Sequence, residues 1–469
     1  MPKSKRIFIK QLLDFVGQEV CVKGLADNKR DHGKITFIDL KDFSGVIQCV
    51  GFQKMQEITK ESSMVVMGLV KKRPEKMINS NLPTGSLEIE VLDYQILNKA
   101  HELPIEVDSD GLSINEELRL KYRYLDLKRP RMRNILAMRS QMVRFIREYL
   151  YHGDFLEIET PLLTKATKEG ARDFLVPSRL QKGKFYALPQ SPQQYKQLLM
   201  LAGFERYFQI ARCIRDEDLR ADRGFEFTQL DLEMSFVTEE DIRQLTEKMI
   251  IGLAEGLKKT IKEKPFPRFT YQEAIKKFGA DKFDLRNEEE KKAGILSFAW
   301  VVDFPFFKKV DQKDEIEKRD GKSGWTFTHN PFSLPKEINL TDHLQEKNIA
   351  KIIACQYDLV CNGYEVGGGS LRAFKREILA ATFSIMGYTK TEIEEGVGHM
   401  LKAFDYGIPP HGGIALGIDR LVMLFCQEES LREVIPFPMN SNGKTAVMDA
   451  PSVVSDKQLI ELSLQILDN

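Results

Sequence analysis

Between residues 211 and 233 the chain carries four arginines (Arg212, Arg215, Arg220, Arg223) and seven carboxylates (Asp216, Glu217, Asp218, Asp222, Glu226, Asp231, Glu233). Apolar stretches flank this run, and Phe225 and Phe227 lie inside it. An ordinary pair of strands has no use for so many charges. A loop that holds a nucleoside triphosphate between two strands does, because guanidinium groups meet phosphate oxygens two at a time and aromatic faces stack on bases. The run therefore predicts strand, charged loop, strand, with a ligand at the loop.

At 469 residues the chain needs more than one domain. A second informative block runs from Tyr357 to Arg372. Asp358 and Glu365 stand seven residues apart on either side of an Asn362-Gly363 turn. Two strands joined there bring both carboxylates to one magnesium ion, which takes one or two carboxylates plus phosphate oxygens. Gly367, Gly368 and Gly369 follow and allow backbone to approach a ligand closely.

Upstream, five short runs of strand type occupy 18–25, 34–40, 45–51, 64–72 and 86–97. In the last, Leu87, Ile89 and Val91 alternate with Glu88 and Glu90. Five strands in about a hundred residues fit an OB-type barrel, assigned to 1–104, of the kind that binds single-stranded nucleic acid on an open face. Residues 105–130, with Pro104, Gly111 and Pro130 as punctuation, read as a hinge. Apolar residues at 135, 138, 142, 145, 146 and 149 predict a helix over 134–151 with Asn134 as its N-cap. A strand at 155–160 ends at Pro161, a Lys/Glu-rich bridge fills 262–295, and 299–305 resumes strand character.

Net charge is zero, but residues 1–100 hold 16 Lys and Arg against 12 Asp and Glu. That small excess fits RNA backbone contacts and fits an ordinary mixed surface equally well. No apolar run reaches the ~18 residues of a membrane span. The basic start, Met1 to Arg6, has no apolar stretch after it, and the six cysteines form no CxxC pair. A cytoplasmic protein without a zinc site is expected.

The run at 211–233 resembles motif 2 of class II aminoacyl-tRNA synthetases, in the form used by the aspartyl family. The helix, strand and Pro161 resemble motif 1, the dimerisation element. Gly412-Gly413-Ile414-Ala415-Leu416-Gly417-Ile418-Asp419-Arg420-Leu421 resembles motif 3, and the block at 357–372 looks like the bacterial aspartyl form. The resemblance spans nearly the whole chain. It implies an α+β fold: an OB-fold barrel, then a catalytic domain (131–469) built on an antiparallel sheet flanked by helices.

The resemblance also implies roles. Arg215 and Arg420 are catalytic; ATP is held by Arg215, Glu217, Phe227, Glu365 and Arg420, and Mg²⁺ by Asp358 and Glu365. Glu169, Ser191, Gln193, Lys196, Asp231, His329 and Arg372 bind aspartate, with Lys196 and Arg372 bracketing its side-chain carboxylate. Arg30, Phe37 and Gln48 read the anticodon. Implied partners are ATP, L-aspartate, tRNA(Asp) and a second copy of the chain in a homodimer, for which the helix over 134–151 offers a long apolar stripe. Charging of tRNA(Asn) stays open: His32 matches relaxed anticodon reading, whereas Lys76 points the other way. Three departures stand out. Asn330 replaces a second pocket histidine, Leu25 replaces a barrel tryptophan, and only the short bridge at 262–295 occupies the place of the extra domain that bacterial members insert. Asparaginyl or lysyl enzymes sharing this core, a non-catalytic RNA-binding paralogue and an amide-forming enzyme are the alternatives. The Lys196/Arg372 pair, the presence of Arg215, Asp358, Glu365 and Arg420 together, and the barrel argue against them in turn.

Overall fold

The structure, a computed structural model, describes residues 5–467 except 34, 53, 54 and 81. The chain divides into two compact units, Met1–Glu106 and Val107–Asn469. In the first, β1 (Glu19–Asp31), β2 (Ile35–Asp42), β3 (Gly45–Phe52), β4 (Ser63–Lys72) and β5 (Leu87–Asn98) close into a barrel in the order β1-β2-β3-β5-β4. All five expected strands are present; Lys34, the expected start of the second, lies outside the described residues. Strand alternation explains the closure. Thr36, Ile38 and Leu40 of β2 are buried, Ile38 and Leu40 packing with Val22, Ile47, Val66 and Ile89, while Phe37 and Asp39 are part-exposed.

The second unit is organised by an eight-stranded sheet. Its strands in chain order are β6 (Leu156–Glu157), β9 (Arg206–Ile214), β10 (Glu226–Ser235), β11 (Arg268–Thr270), β12 (Phe298–Val302), β15 (Gln356–Cys361), β16 (Tyr364–Leu371) and β17 (His411–Gly417). Two small pairs lie outside it, β7 (Leu175–Pro177) with β8 (Phe185–Ala187) and β13 (Phe307–Lys309) with β14 (Trp325–Phe327). The sheet order is β11-β12-β15-β16-β17-β10-β9-β6. Pairing is antiparallel through the middle, as expected, and parallel at both edges. Helices Pro130–His152, Glu239–Gly256 and Ile418–Cys426 pack on one face, around Ile146, Leu253, Trp300, Tyr357 and Leu421.

Four readings from the sequence change. The long helix starts at Pro130, not Asn134: proline at the first helical position loses no hydrogen bond and its φ is already helical. Its apolar stripe faces its own subunit, since Ile135, Met142, Ile146 and Leu150 are fully buried in the core. Residues 262–295 are more than a charged bridge. They supply β11 at the sheet edge and the helix Tyr271–Phe278, and Ala274 and Phe283 join a small core with Val301, Phe304 and Val360.

Residues 107–129, expected as part of the hinge, belong to the second unit. Glu116–Lys121 and Arg123–Asp126 are helical. The Arg119 guanidinium donates to both Glu433 oxygens (3.0 and 2.7 Å), and Arg131 donates to Glu433 (2.6 Å). Asp126, fully buried, accepts from Arg123 (2.8 Å) and Arg129 (2.7 Å).

Candidate active site

Four buried charges form the floor of the site. Lys196 projects from the helix Gln193–Leu201, Asp231 and Glu233 from β10, and Arg372 follows β16. Residues two apart on a strand share a face, which puts Asp231 and Glu233 side by side. The Lys196 ammonium donates to Asp231 Oδ1 at 2.7 Å and lies 3.1 Å from Glu233 Oε2. Arg372 donates from Nε to Glu233 Oε1 (2.9 Å), from Nη2 to Oε2 (3.2 Å) and from Nη1 to the Ser370 hydroxyl (2.8 Å). Burial works against the Glu233 charge, yet Arg372 and Lys196 together hold its carboxyl down at about 2. Burial prevails over Lys196 at Asp231 and pushes that carboxyl up.

Close strand packing makes this floor possible. β17 lies between β10 and β16, with Gly413 opposite both Glu233 and Ser370. A Cβ on Gly413 would sit 2.2 Å from Glu233 Oε2, so only glycine leaves room for that carboxylate. His411, at the start of β17, is buried: its Nδ1–H donates to Pro409 O (2.8 Å), leaving Nε2 to accept from the Gln197 amide (3.0 Å). Burial pulls its pKa down, consistent with a neutral ring.

Above the floor opens a cleft of about 860 Å³. Arg215, Glu217, Phe227, Glu365 and Arg420 all line it. The Arg215 guanidinium lies over the Phe227 ring at 5.1 Å and donates from Nε to Gln190 O (3.2 Å). Arg420 donates to Glu365 O (2.8 Å) and to the Asp222 carboxylate (3.2 Å). Glu217 pairs with Arg223 at 3.4 Å. Two guanidinium groups and an aromatic ring thus line one cleft.

Asp358 on β15 and Glu365 on β16 converge at one edge of this cleft, which Glu365 lines. A Cβ on Gly368 would lie 2.9 Å from Asp358 Oδ1 and 3.5 Å from Glu365 Oε1, so both carboxylates border one small space that a side chain would fill. Burial pushes the Asp358 carboxyl up to about 7. Glu365 is held at about 2 against its burial, chiefly by Lys282, whose ammonium is 2.8 Å from Oε2. No group of three or more His, Cys, Asp or Glu side chains suited to a metal exists among the described residues. Two hard oxygen donors bordering one small space fit a magnesium ion, which would take its remaining ligands from phosphate and water.

Of the expected aspartate ligands, Ser191, Gln193, Lys196, Asp231, His329 and Arg372 line the large cleft. Glu169 opens instead on a smaller neighbouring cavity of about 250 Å³ that Ser191 also lines, and it accepts from the Ser191 hydroxyl at 2.6 Å. His329 stands beside Asp358. Its Nε2 is 3.7 Å from Asp358 Oδ2, and its ring packs edge-on against Phe304 at 4.5 Å. The neighbouring Asn330 donates to Gln193 (3.3 Å). Sequence reasoning gave no role to Glu233, His411, Gln356 or Lys282. Gln356 donates to Asp358 at 2.7 Å.

On the barrel, Arg30 is opposite Phe37 in the β1–β2 ladder and donates to Asp39 (3.1 Å) and Gln48 (3.2 Å). His32 meets the Phe37 ring edge-on at 5.7 Å. Arg30, Phe37 and Gln48 therefore share the outer face of β1, β2 and β3. Leu25 is part-exposed, and Lys76 is exposed.

The family described as tRNA synthetases class II (D, K and N) matches residues 115–441, and that described as OB-fold nucleic acid binding domain matches 20–97. An aspartate–tRNA(Asp/Asn) ligase of Phenylobacterium zucineum is 38% identical over 581 residues, covering 96% of each chain. An aspartate–tRNA ligase of Staphylococcus haemolyticus is 36% identical over 584 residues, covering 97% of each. Both alignments are longer than the 469 residues of this chain, so both relatives carry segments it lacks. In fold, it resembles the Pyrococcus horikoshii asparaginyl-tRNA synthetase complexed with asparaginyl-adenylate (TM-score 0.70, 22% identity, 93% of this chain and 98% of that one). The Entamoeba histolytica aspartyl-tRNA synthetase is similar to the same degree (TM-score 0.70, 21% identity, 93% and 91%).

Proposed function

Because this chain belongs to the class II tRNA synthetases of the D, K and N group, we propose that it activates L-aspartate with ATP and transfers the aspartyl group to the 3′ end of tRNA(Asp). The observation that carries the choice of amino acid is the floor of two buried cations against two buried carboxylates. Aspartate brings one ammonium and one side-chain carboxylate to that set. Its ammonium can replace Lys196 as the partner of Asp231, and Lys196 and Arg372 then receive the side-chain carboxylate. A lysine side chain would push an ammonium against both cations. Asparagine would turn an N–H₂ group toward donors that cannot accept.

Chemistry then needs positioning and charge neutralisation. The aspartate α-carboxylate attacks the α-phosphate, the bond to the bridging oxygen breaks, and pyrophosphate leaves. Arg215 meets the α-phosphate, Phe227 stacks on adenine, Glu217 supports the adenine end and Arg420 meets the γ-phosphate. Asp358 and Glu365 hold Mg²⁺, which supplies further charge neutralisation at the phosphates when bound. In the second step the terminal tRNA hydroxyl attacks the adenylate carbonyl, and AMP leaves. Arg30, Phe37 and Gln48 are the anticodon contacts, Phe37 by stacking.

The protein is a cytoplasmic two-fold homodimer in this reading. The helix stripe no longer supports that, since the subunit covers it. Tyr151, Leu156, Leu162 and Leu163 do: each is more than half exposed along the segment that leads through Pro161. Light scattering at micromolar protein is expected to give twice the 53.9 kDa chain mass, and an active monomer would contradict it.

Pyrophosphate exchange tests the amino acid. Exchange should require aspartate and proceed at background with asparagine or lysine; asparagine-driven exchange of equal rate would overturn the assignment. Purified tRNA(Asp) and tRNA(Asn), charged side by side with aspartate, decide whether the second is also a substrate.

A further inference from the structure

Lys282 reaches the carboxylate pair from a segment that the steps above leave without a task. Its ammonium is 2.8 Å from Glu365 Oε2. The backbone on its C-terminal side is fastened to the hairpin that carries both acids: Gly363 N–H, in the turn between β15 and β16, donates to Phe283 O at 3.0 Å. Phe283 is buried, stacked on Phe278 at 4.1 Å and edge-on to Phe269 at 5.4 Å. Asp284 then clasps the Arg286 guanidinium (2.8 Å to Nη2), and Arg286 Nη1 donates to Ile295 O. The lysine is therefore one residue from an anchor that moves with Asp358 and Glu365.

We propose that Lys282 is the resident counter-ion of the Asp358–Glu365 site, holding the Glu365 charge while no nucleotide is bound and yielding its place to the divalent cation that arrives with ATP. The inference rests on the reading of those two carboxylates as metal ligands. Lys196 gives the contrast. Its side chain is 2% exposed and locked between two acids, whereas that of Lys282 is 38% exposed on a flexible four-carbon stem and can leave without being stranded in the interior. A lysine that must be displaced makes metal binding depend on nucleotide. With ATP absent, the ammonium already neutralises Glu365 and repels a second cation. With ATP bound, phosphate oxygens join the ligand set and draw the released ammonium toward their own charge. The part-exposed pair adds little to folding on its own, so the role belongs to the metal equilibrium.

The test follows Mn²⁺ binding by electron paramagnetic resonance on the full-length protein, with and without ATP and with no amino acid present. Lys282→Met is expected to bind Mn²⁺ about tenfold more tightly than wild type without ATP, the scale of one removed unit charge near a half-exposed site. With ATP the gap should narrow, and Lys282→Arg should stay near wild type in both conditions. The half-saturating Mg²⁺ concentration in aspartate-dependent exchange should fall in Lys282→Met. A Mn²⁺ affinity for Lys282→Met indistinguishable from wild type without ATP, in protein with an unchanged melting curve, overturns the role of Lys282 and leaves the metal site standing. If wild type takes up no Mn²⁺ even with ATP while aspartate-dependent exchange persists, the reading of Asp358 and Glu365 falls, and this inference with it.

Discussion

Arg372→Leu should abolish aspartate activation and also lower the melting temperature. Both effects come from one fact: Glu233 is fully buried and takes two of its hydrogen bonds from Arg372. Removing one partner of a buried pair costs about 3–5 kcal/mol, and the low end applies here because Lys196 stays 3.1 Å from Glu233. The same figure applies to the substrate carboxylate, which would lose one of its two cations. The two losses can be separated. Arg372→Leu combined with Glu233→Met exchanges the pair for apolar volume and should recover most of the melting temperature, since such exchanges are close to neutral. It should not recover activation. ATP binding, measured by calorimetry, should change little in either variant. Wild-type activation by the single variant would remove Arg372 from the amino-acid pocket.

The second large effect is expected for Arg215→Ala. The side chain is held over Phe227 and by Gln190 O and makes no direct ion pair among the described residues, so folding should be nearly unaffected. Exchange should fall by roughly 10²–10³, the range for loss of one donor aimed at developing charge. Arg215→Lys should recover only part of that, because a point charge cannot reproduce the planar fork at two phosphate oxygens. The loss should sit in kcat more than in the KM for ATP. Full exchange by Arg215→Ala would cancel the role assigned to it.

The outline of the site was legible because its chemistry is dense in sequence. Asp358 and Glu365 bracket a turn, and a turn of that kind brings its flanks together. Glu233 went unassigned although it lies two residues after Asp231. The alternation that places both on one face was available, but an acid on a strand carries no mark of what it will meet, and its partner Arg372 is 139 positions away. The helix Pro130–His152 shows the opposite limit. Periodicity establishes that a face is covered and is silent on whether the cover is the same chain or a partner. β11 escaped notice because three residues of parallel edge strand hold too little pattern to stand out in a Lys/Glu-rich stretch. Lys282 was indistinguishable from its many charged neighbours until Phe283 was seen anchored to the β15–β16 turn.

The position of β17 bears on how the catalytic unit comes to exist at all. It is the last strand of this sheet in chain order among the described residues, yet it is inserted between β16 and β10 near the middle of the sheet. Until residues 411–417 are available, β11-β12-β15-β16 and β10-β9-β6 are two half-sheets, each with a long unpaired edge, and such edges invite pairing with other chains. The barrel closes entirely within the first hundred residues and can form while the rest is being made. The catalytic unit cannot. Its central joint closes over a separation of 176 to 188 residues between β10 and β17, a topology that folds slowly. Synthesis thus delivers a finished nucleic-acid-type module first and withholds the nucleotide cleft until Arg420, three residues beyond that strand, has also emerged.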